Sequence, residues 1–250
     1  MKQLLWKNLW QCLAAIVFLV AVWVIAYFAV GNHLLIPSFV ESVKEVGRLL
    51  ISKAFWLAFA MSLLRAWIAF LLSFALAGVF AVIAYLYPSV GGFLAPIVSA
   101  FRSLPILAVL LILLSFLGKG EAPVAVAFLS LFPMLYTGIV AALSGVDKHL
   151  IEVSRVQGTP LFRRVSAIYL PLASPYILKE ASGALSFSVK LVVSAEVLAY
   201  TAQSLGGMMQ DAKIYNLPQL FALVGMSFLA GLVLELGVSL LATIAEKKIR

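Results

Sequence analysis

Cysteine, histidine and acidic side chains are all scarce in this chain. A single cysteine, Cys12, among 250 residues excludes an intrachain disulfide and a paired-cysteine metal site. The two histidines, His33 and His149, fall in polar breaks expected at opposite membrane faces, so they cannot share a metal. The two aspartates, Asp147 and Asp211, are separated in the same way, which removes the paired-aspartate arrangement of an intramembrane protease. Gly-x-Ser-x-Gly, His-Glu-x-x-His and Cys-x-x-Cys are all missing, so catalysis by this chain is not expected. Charge is thin as well: 11% of residues are charged, against about 25% in an ordinary soluble domain. The net charge of +8 is scattered, with no basic cluster free of apolar neighbours, which argues against nucleic acid. Anionic lipid and orientation in a membrane account for it better.

What the chain has is hydrocarbon. Hydrophobic residues make up 64% of it, which makes it a membrane protein on composition alone. Apolar runs fall at 9–30, 56–86, 92–117, 122–145, 170–200 and 217–243. Each can cross about 30 Å of hydrocarbon at about 1.5 Å per residue. The expectation is an all-α polytopic protein with about six transmembrane helices, forming one domain over 1–250 without internal repeats. The first run is too long for a signal peptide and shows no small-residue exit, so it reads as a retained span. Segment 37–53 opens with Pro-Ser and sets Phe39, Val43, Val46, Leu49 and Leu50 against Glu41, Lys44, Glu45, Arg48 and Lys53. That spacing predicts an amphipathic interfacial helix.

With both termini on one side, that side carries Lys2, Lys7, Lys148, Arg155, Arg163, Arg164, Lys247, Lys248 and Arg250, against Lys44, Arg48, Lys53, Lys119 and Lys213 opposite. The positive-inside rule then makes both termini and the loop at 146–169 cytoplasmic. "LGKGEA" at 117–122 lacks the second glycine element and the hydroxyl that a phosphate-binding loop needs, so it reads as a tight turn between spans. ATP-driven work would need another chain to hydrolyse the ATP.

The most definite polar element is "IEVSRVQGTPLFRRVSAIYLPLASPYI", Ile151 to Ile177. Gly158 can take the positive φ that ends one helix, and Pro160 suits the first turn of the next. A helix–turn–helix along the membrane surface results, with Arg163 and Arg164 facing water or lipid phosphate and Leu170-Pro171 turning the chain into the fifth span. By shape it is either a docking surface or a surface hairpin without a partner.

Spacing separates these two. Glu152, Gly158, Ile168, Leu170 and Pro171 stand at positions one, seven, seventeen, nineteen and twenty of a common frame. The pattern resembles the EAA motif of permease subunits in bacterial ABC importers, with Val153 and Ser154 in place of its two alanines. "LLIPSF", "SLLRAWIAF", "FRSLPILAVLLILLSFLGKG" and "VVSAEVLAYTAQSLGGMM" are similar to the branch serving nitrate, sulfonate, taurine, bicarbonate and thiamine precursors. One departure is Lys190, where relatives usually carry tryptophan.

The resemblance implies a type I importer permease fold in a bacterial cytoplasmic (inner) membrane. Its implied partners are a second permease copy, an extracytoplasmic substrate-binding protein and an ABC ATPase subunit that binds the ATP and Mg, leaving no cofactor in this chain. It further implies that Glu152 and Gly158 fix a coupling helix, and that Arg155, Thr159, Phe162 and Arg163 are candidates for the contact with the ATPase.

Charges at membrane depth are costly and face protein or a cavity. Lys179 and Lys190 share a helix face; either both line an anion pathway, or Lys179 snorkels to the cytoplasmic interface and Lys190 pairs with a glutamate on a neighbouring helix. Glu196 matches the family's Ala-Glu pair, and a structural or gating role is expected for it. Arg102 and Pro105 mark a local break that either lines the pathway or is a packing kink. Ser73, Ala77 and Ala81 would allow close helix approach. The solute expected is small, polar and anionic. Two other readings stay open: a membrane scaffold that recruits a partner through the loop, and a proton- or sodium-driven carrier using Glu180 and Glu235.

Overall fold

The computed structural model describes residues 2–32 and 35–249, with the side chains of 2–9, 11–13, 16, 148, 155 and 241–249 outside that description. The described residues form ten α-helices. These are α1 (Lys2–Val30), α2 (Phe39–Leu50), α3 (Lys53–Leu86), α4 (Pro88–Ser103), α5 (Ile106–Ser144), α6 (Lys148–Val156), α7 (Leu161–Arg164), α8 (Leu170–Ala199), α9 (Leu205–Tyr215) and α10 (Leu217–Ile249). Four stretches are long and apolar enough to cross a membrane: Lys53–Leu86, Ile106–Ser144, Leu161–Ala199 and Leu217–Leu240. A shorter apolar stretch, Val17–Val30, lies in α1.

The span predicted at 92–117 is not one helix. α4 ends at Ser103 and the helix restarts at Ile106. Pro105 has no N–H to donate, and its ring pushes the preceding residue out of the helical region; Leu104 accordingly sits at φ −66°, ψ 129°. The turn expected at 117–122 is a single-residue reversal. Gly118, at φ 78°, ψ −177°, interrupts α5, and the two arms fold back on each other. Ile106 and Val109 of the first arm share one small cavity with Val126 and Ser130 of the second. In a straight helix Ile106 and Val126 would stand about 30 Å apart.

The core is built where α3 packs along α5 and α8, and α8 along α10. Small residues make this close approach possible. Ser73, Ala77 and Ala81 are fully buried on α3, as the sequence led us to expect, and Ser73 Oγ donates to the Phe128 carbonyl of α5 at 3.2 Å. α1 is peripheral, held through Trp23, whose Nε1 donates to the Pro37 carbonyl at 3.1 Å and whose ring meets Phe39 and Phe221.

Two local expectations need correcting. α2 is amphipathic and carries a capping box between Ser38 and Glu41, but its inward face is Ser42, Glu45 and Leu49. Val43 is turned out, and Glu45 is buried and paired with Arg48. α2 packs on α10, so the sides assigned from hydrophobicity alone are partly exchanged. The second correction concerns Leu170-Pro171, which makes no turn. The helix runs from Leu161 to Ala199, with one π-helical turn at Val165–Tyr169 where Leu170 N–H reaches back to the Val165 carbonyl. The wider turn lets the helix pass a proline that lacks its own donor.

A Cβ added at Gly118 or at Gly120 meets nothing within 4 Å, so substitution at either is free of clashes. Gly118→Ala should still cost about 1–3 kcal/mol, because its φ and ψ lie in a region nearly reserved for glycine. Gly120→Ala should be neutral or slightly stabilising. Thermal unfolding of both variants in mild detergent checks this, and equal midpoints would count against a reversal centred on Gly118.

Candidate functional site

The loop between α5 and α8 is a rigid, capped element. Asp147 Oδ1 accepts the His149 N–H at 2.9 Å, opening α6. At the far end Thr159 N–H bonds to the Ser154 carbonyl at 3.0 Å across Gly158, whose φ is 67°. This is the helix-ending geometry that glycine favours. Pro160, at φ −62°, ψ 149°, then starts α7. Ile151 and Ser154 are buried against the bundle, and Ser154 Oγ donates to the Ile151 carbonyl at 2.7 Å. A small residue is thus still seated where the motif has alanine.

The other face of the loop points away from the bundle. Glu152 and Arg163 are exposed, Thr159 is half-buried, and Phe162 is 84% exposed. The Arg155 side chain lies outside the described residues. Val153 and Val156, which the sequence reading did not select, join Phe162 on the outward face, and Val156 is 90% exposed. Their spacing of three residues beside the buried Ile151 and Ser154 was the available signal. Arg164, expected to face water or lipid phosphate, is half-buried behind the loop.

A second cluster lies at the opposite end of the bundle. Glu196 of α8 is fully buried and pairs with Arg65 of α3 at 2.9 Å. Ser62 Oγ donates to the other carboxylate oxygen at 2.6 Å, and Gly206 N–H of α9 approaches that oxygen at 3.4 Å. Ser62 Oγ in turn accepts the Leu205 N–H at 2.9 Å. One carboxylate therefore joins three helices. Sequence reasoning named Glu196 and noticed Arg65 as an intramembrane charge, without pairing them.

Beside this cluster is a cavity of about 970 Å³ bordered by Arg65, Lys119, Tyr200, Gln203 and Asp211. Tyr200 and Gln203 both hold positive φ, at 50° and 47°. Tyr200 Oη donates to Asp211 at 2.5 Å, and this bond and the aspartate charge keep the phenol above its ordinary pKa of 10.0. It therefore remains a donor at physiological pH. Lys119 Nζ lies 5.7 Å from the Tyr200 ring centroid, and the Lys119 carbonyl accepts from Thr201 Oγ1 at 2.7 Å, tying the Gly118 reversal to the end of α8.

The remaining candidates lie apart from both clusters. Arg102 is exposed and donates to Thr137 Oγ1 of α5 at 2.8 Å. Pro105 is exposed at the break after α4. Among the described residues Lys190 pairs with no glutamate; its ammonium sits 5.9 Å from the Phe228 ring of α10. Glu180 packs against Gly138. Among the described residues no group of three potential ligands could hold a metal ion.

Residues 75–250 match the family described as binding-protein-dependent transport system inner membrane component. The chain belongs to this family. Among its curated relatives is a probable ABC transporter permease protein of Brucella melitensis, 35% identical over 129 residues that cover 50% of this chain and 52% of that protein. A putative aliphatic sulfonates transport permease protein of Bacillus subtilis is 27% identical over 79% of this chain and 72% of its own length. The taurine transport system permease protein of Escherichia coli is 30% identical over 51% of this chain and 46% of its own. The chain thus spans about half the length of the first curated relatives it matches.

Solved structures of the family's fold agree. The chain aligns with the MetNI methionine ABC transporter in inward-facing form at TM-score 0.61, 20% identity, covering 76% of this chain and 93% of that one. It aligns with a bacterial alginate ABC transporter in complex with its alginate-bound periplasmic protein at TM-score 0.63, 14% identity and 93% coverage of each chain. The permease fold inferred from the motif is therefore the fold present, and the motif residues Glu152, Gly158, Ile168, Leu170 and Pro171 all lie within the matched region.

Because Glu196 and Arg65 are both withdrawn from solvent, removing either alone leaves an uncompensated charge. Glu196→Ala and Arg65→Ala should each lower stability by about 3–5 kcal/mol. The double variant should lose clearly less than the sum, which a double-mutant cycle of unfolding in detergent would read. Additive losses would mean that the two groups do not stabilise each other.

Proposed function

We propose that this chain is the membrane-spanning permease subunit of an ATP-driven importer, and that α6 and α7 form the surface on which a separate ATPase subunit docks. The observation that carries the reading is the α6–α7 loop itself. It is capped at both helix ends, anchored by Ile151 and Ser154, and yet presents Val153, Val156 and Phe162 outward. Apolar side chains held rigidly outside a bundle suit a protein partner better than water. Glu152 and Arg163 supply the polar rim of that contact and the family motif assigns Arg155 to it, while Thr159 sits half-buried behind them. ATP and Mg belong to the partner, which performs the hydrolysis.

The wider assembly follows the family: a second copy of this chain, two ATPase subunits and an extracytoplasmic binding protein. Both termini and the loop then lie in the cytoplasm, with the Arg65–Glu196 cluster and its cavity at the outer end. α8 suggests the kind of solute. It is the most enclosed helix of the bundle, but it keeps one open stripe bearing Lys179, Phe187, Lys190 and Ser194. Among the described residues, neither lysine is paired with a carboxylate. Two cations on an open wall favour a small polar anion, in keeping with the sulfonate and taurine permeases among the relatives. Arg102 and Pro105 are also exposed and remain pathway candidates at the α4 break.

Two experiments test this reading. Phe162→Asp should reduce the ATPase recovered with the chain by tenfold or more, by a desolvation cost of about 1.4 kcal/mol or above, while its thermal midpoint stays unchanged. A wild-type chain that purifies alone from native membranes would sink the importer assignment in favour of a scaffold. In vesicles carrying the whole complex, Lys190→Gln should raise the KM for labelled taurine or ethanesulfonate by about tenfold and leave ATPase recovery intact. An unchanged KM for every anion transported would remove Lys190 from the pathway.

A further inference from the structure

Behind the α6–α7 loop, on the side turned toward the end of α3, lies a cavity of about 630 Å³. Tyr85, Thr159, Leu161, Arg164 and Tyr169 line it, contributing one guanidinium and three hydroxyl groups but no carboxylate. Arg164 Nε is buried and has no hydrogen-bond partner among the described residues. A buried cationic N–H without an acceptor is among the costliest arrangements in a folded chain, so an acceptor that the described residues do not supply belongs there. The acidic residues of the loop do not serve: Glu152 is exposed on α6, and Asp147 accepts the His149 N–H at the start of that helix. Arg163, next in sequence, is exposed and takes no part in the wall.

We propose that this cavity binds a phosphate group, carried by an anionic phospholipid or present as the free ion, with Arg164 as its charge partner and the hydroxyls of Thr159 and Tyr169 as further donors. A guanidinium offers parallel donors matched to phosphate oxygens, and hydroxyls complete the shell. Position favours the lipid source. The cavity lies where α3 ends and the Leu161–Ala199 helix begins, beside the exposed apolar side chains of Tyr87, Leu161 and Leu170. A headgroup can enter there while its acyl chains stay in hydrocarbon. A bound phosphate would brace the loop against α3, so the composition of the leaflet would set how firmly the docking surface is held. This site stands apart from the solute and from its pathway.

The test is native mass spectrometry of the full chain, purified in nonionic detergent with whatever subunits accompany it. It is titrated separately with phosphatidylglycerol, diacylglycerol and inorganic phosphate. Phosphatidylglycerol should be retained and diacylglycerol should not. Arg164→Gln should weaken retention by roughly tenfold or more, Tyr169→Phe by about threefold, and Lys213→Gln, which removes an exposed cation from α9, not at all. Retention of inorganic phosphate alone, with the same variants affected, supports the site and assigns the free ion. Three results overturn the proposal: no phosphate-bearing ligand retained, diacylglycerol retained equally, or Lys213→Gln as damaging as Arg164→Gln. Binding that emerges only after accompanying subunits are stripped also overturns it, because an acidic group of those subunits then fills the cavity. Tyr169→Phe keeps the charge and nearly the whole side chain, so the assignment remains testable if Arg164→Gln fails to fold.

Discussion

The buried pair of Arg65 and Glu196 is the interaction on which one end of the bundle depends. A carboxylate at that depth has no water to solvate it, and the chain supplies instead a guanidinium, a serine hydroxyl and a backbone N–H from α9. The donors come from α3 and α9 and the carboxylate from α8, so satisfying the charge fixes these three helices relative to one another. Ser62 extends the constraint by accepting the Leu205 N–H at the start of α9. Hydrophobic burial cannot set such a register in a membrane, because lipid and side chain offer each other nearly the same environment.

The other end is organised by backbone conformation rather than charge. Gly158 and Pro160 stop one short helix and start the next, and the buried pair Ile151 and Ser154 holds the result to the bundle. Its exposed apolar side chains differ in kind from those of α1 or α3, which a bilayer covers. Val156 and Phe162 are among the most exposed apolar side chains of the loop, and in the proposed assembly the ATPase subunit covers them. The two ends thus use different chemistry, and α8 is the element that reaches both.

Much of this was legible in the sequence, and the gaps have physical causes. The helical class, the capped α6–α7 turn, the break at Pro105 and the small-residue face of α3 all follow from local rules that need no knowledge of neighbours. The partner of Glu196 did not, because it lies 131 residues away and periodicity says nothing about which charges meet across a bundle. For α2 the pattern gave an apolar and a charged face without saying which the bundle would cover; next to a membrane, Val40 and Val43 can face outward while Ser42 and Glu45 are buried where α2 packs on α10. Pro171 was read as a turn because proline removes an α-helical donor, but a single π turn absorbs that loss without bending the chain away. Arg164 was expected at water or lipid phosphate; the cavity between loop and α3 that half-buries it was not legible, because linear spacing does not say which helix end packs behind a loop.

The unbroken helix from Leu161 to Ala199 has a mechanical meaning. Its 39 residues make a rod of about 58 Å that starts inside the loop and ends at the Arg65–Glu196 cluster. A tilt of about 5° about the loop end sweeps the far end through about 5 Å, which is more than a hydrogen-bonded pair held at 2.9 Å can follow. Small angular play passed on beyond the π turn at Val165–Tyr169 would therefore be geared up along the rod into the making or breaking of a contact at its far end.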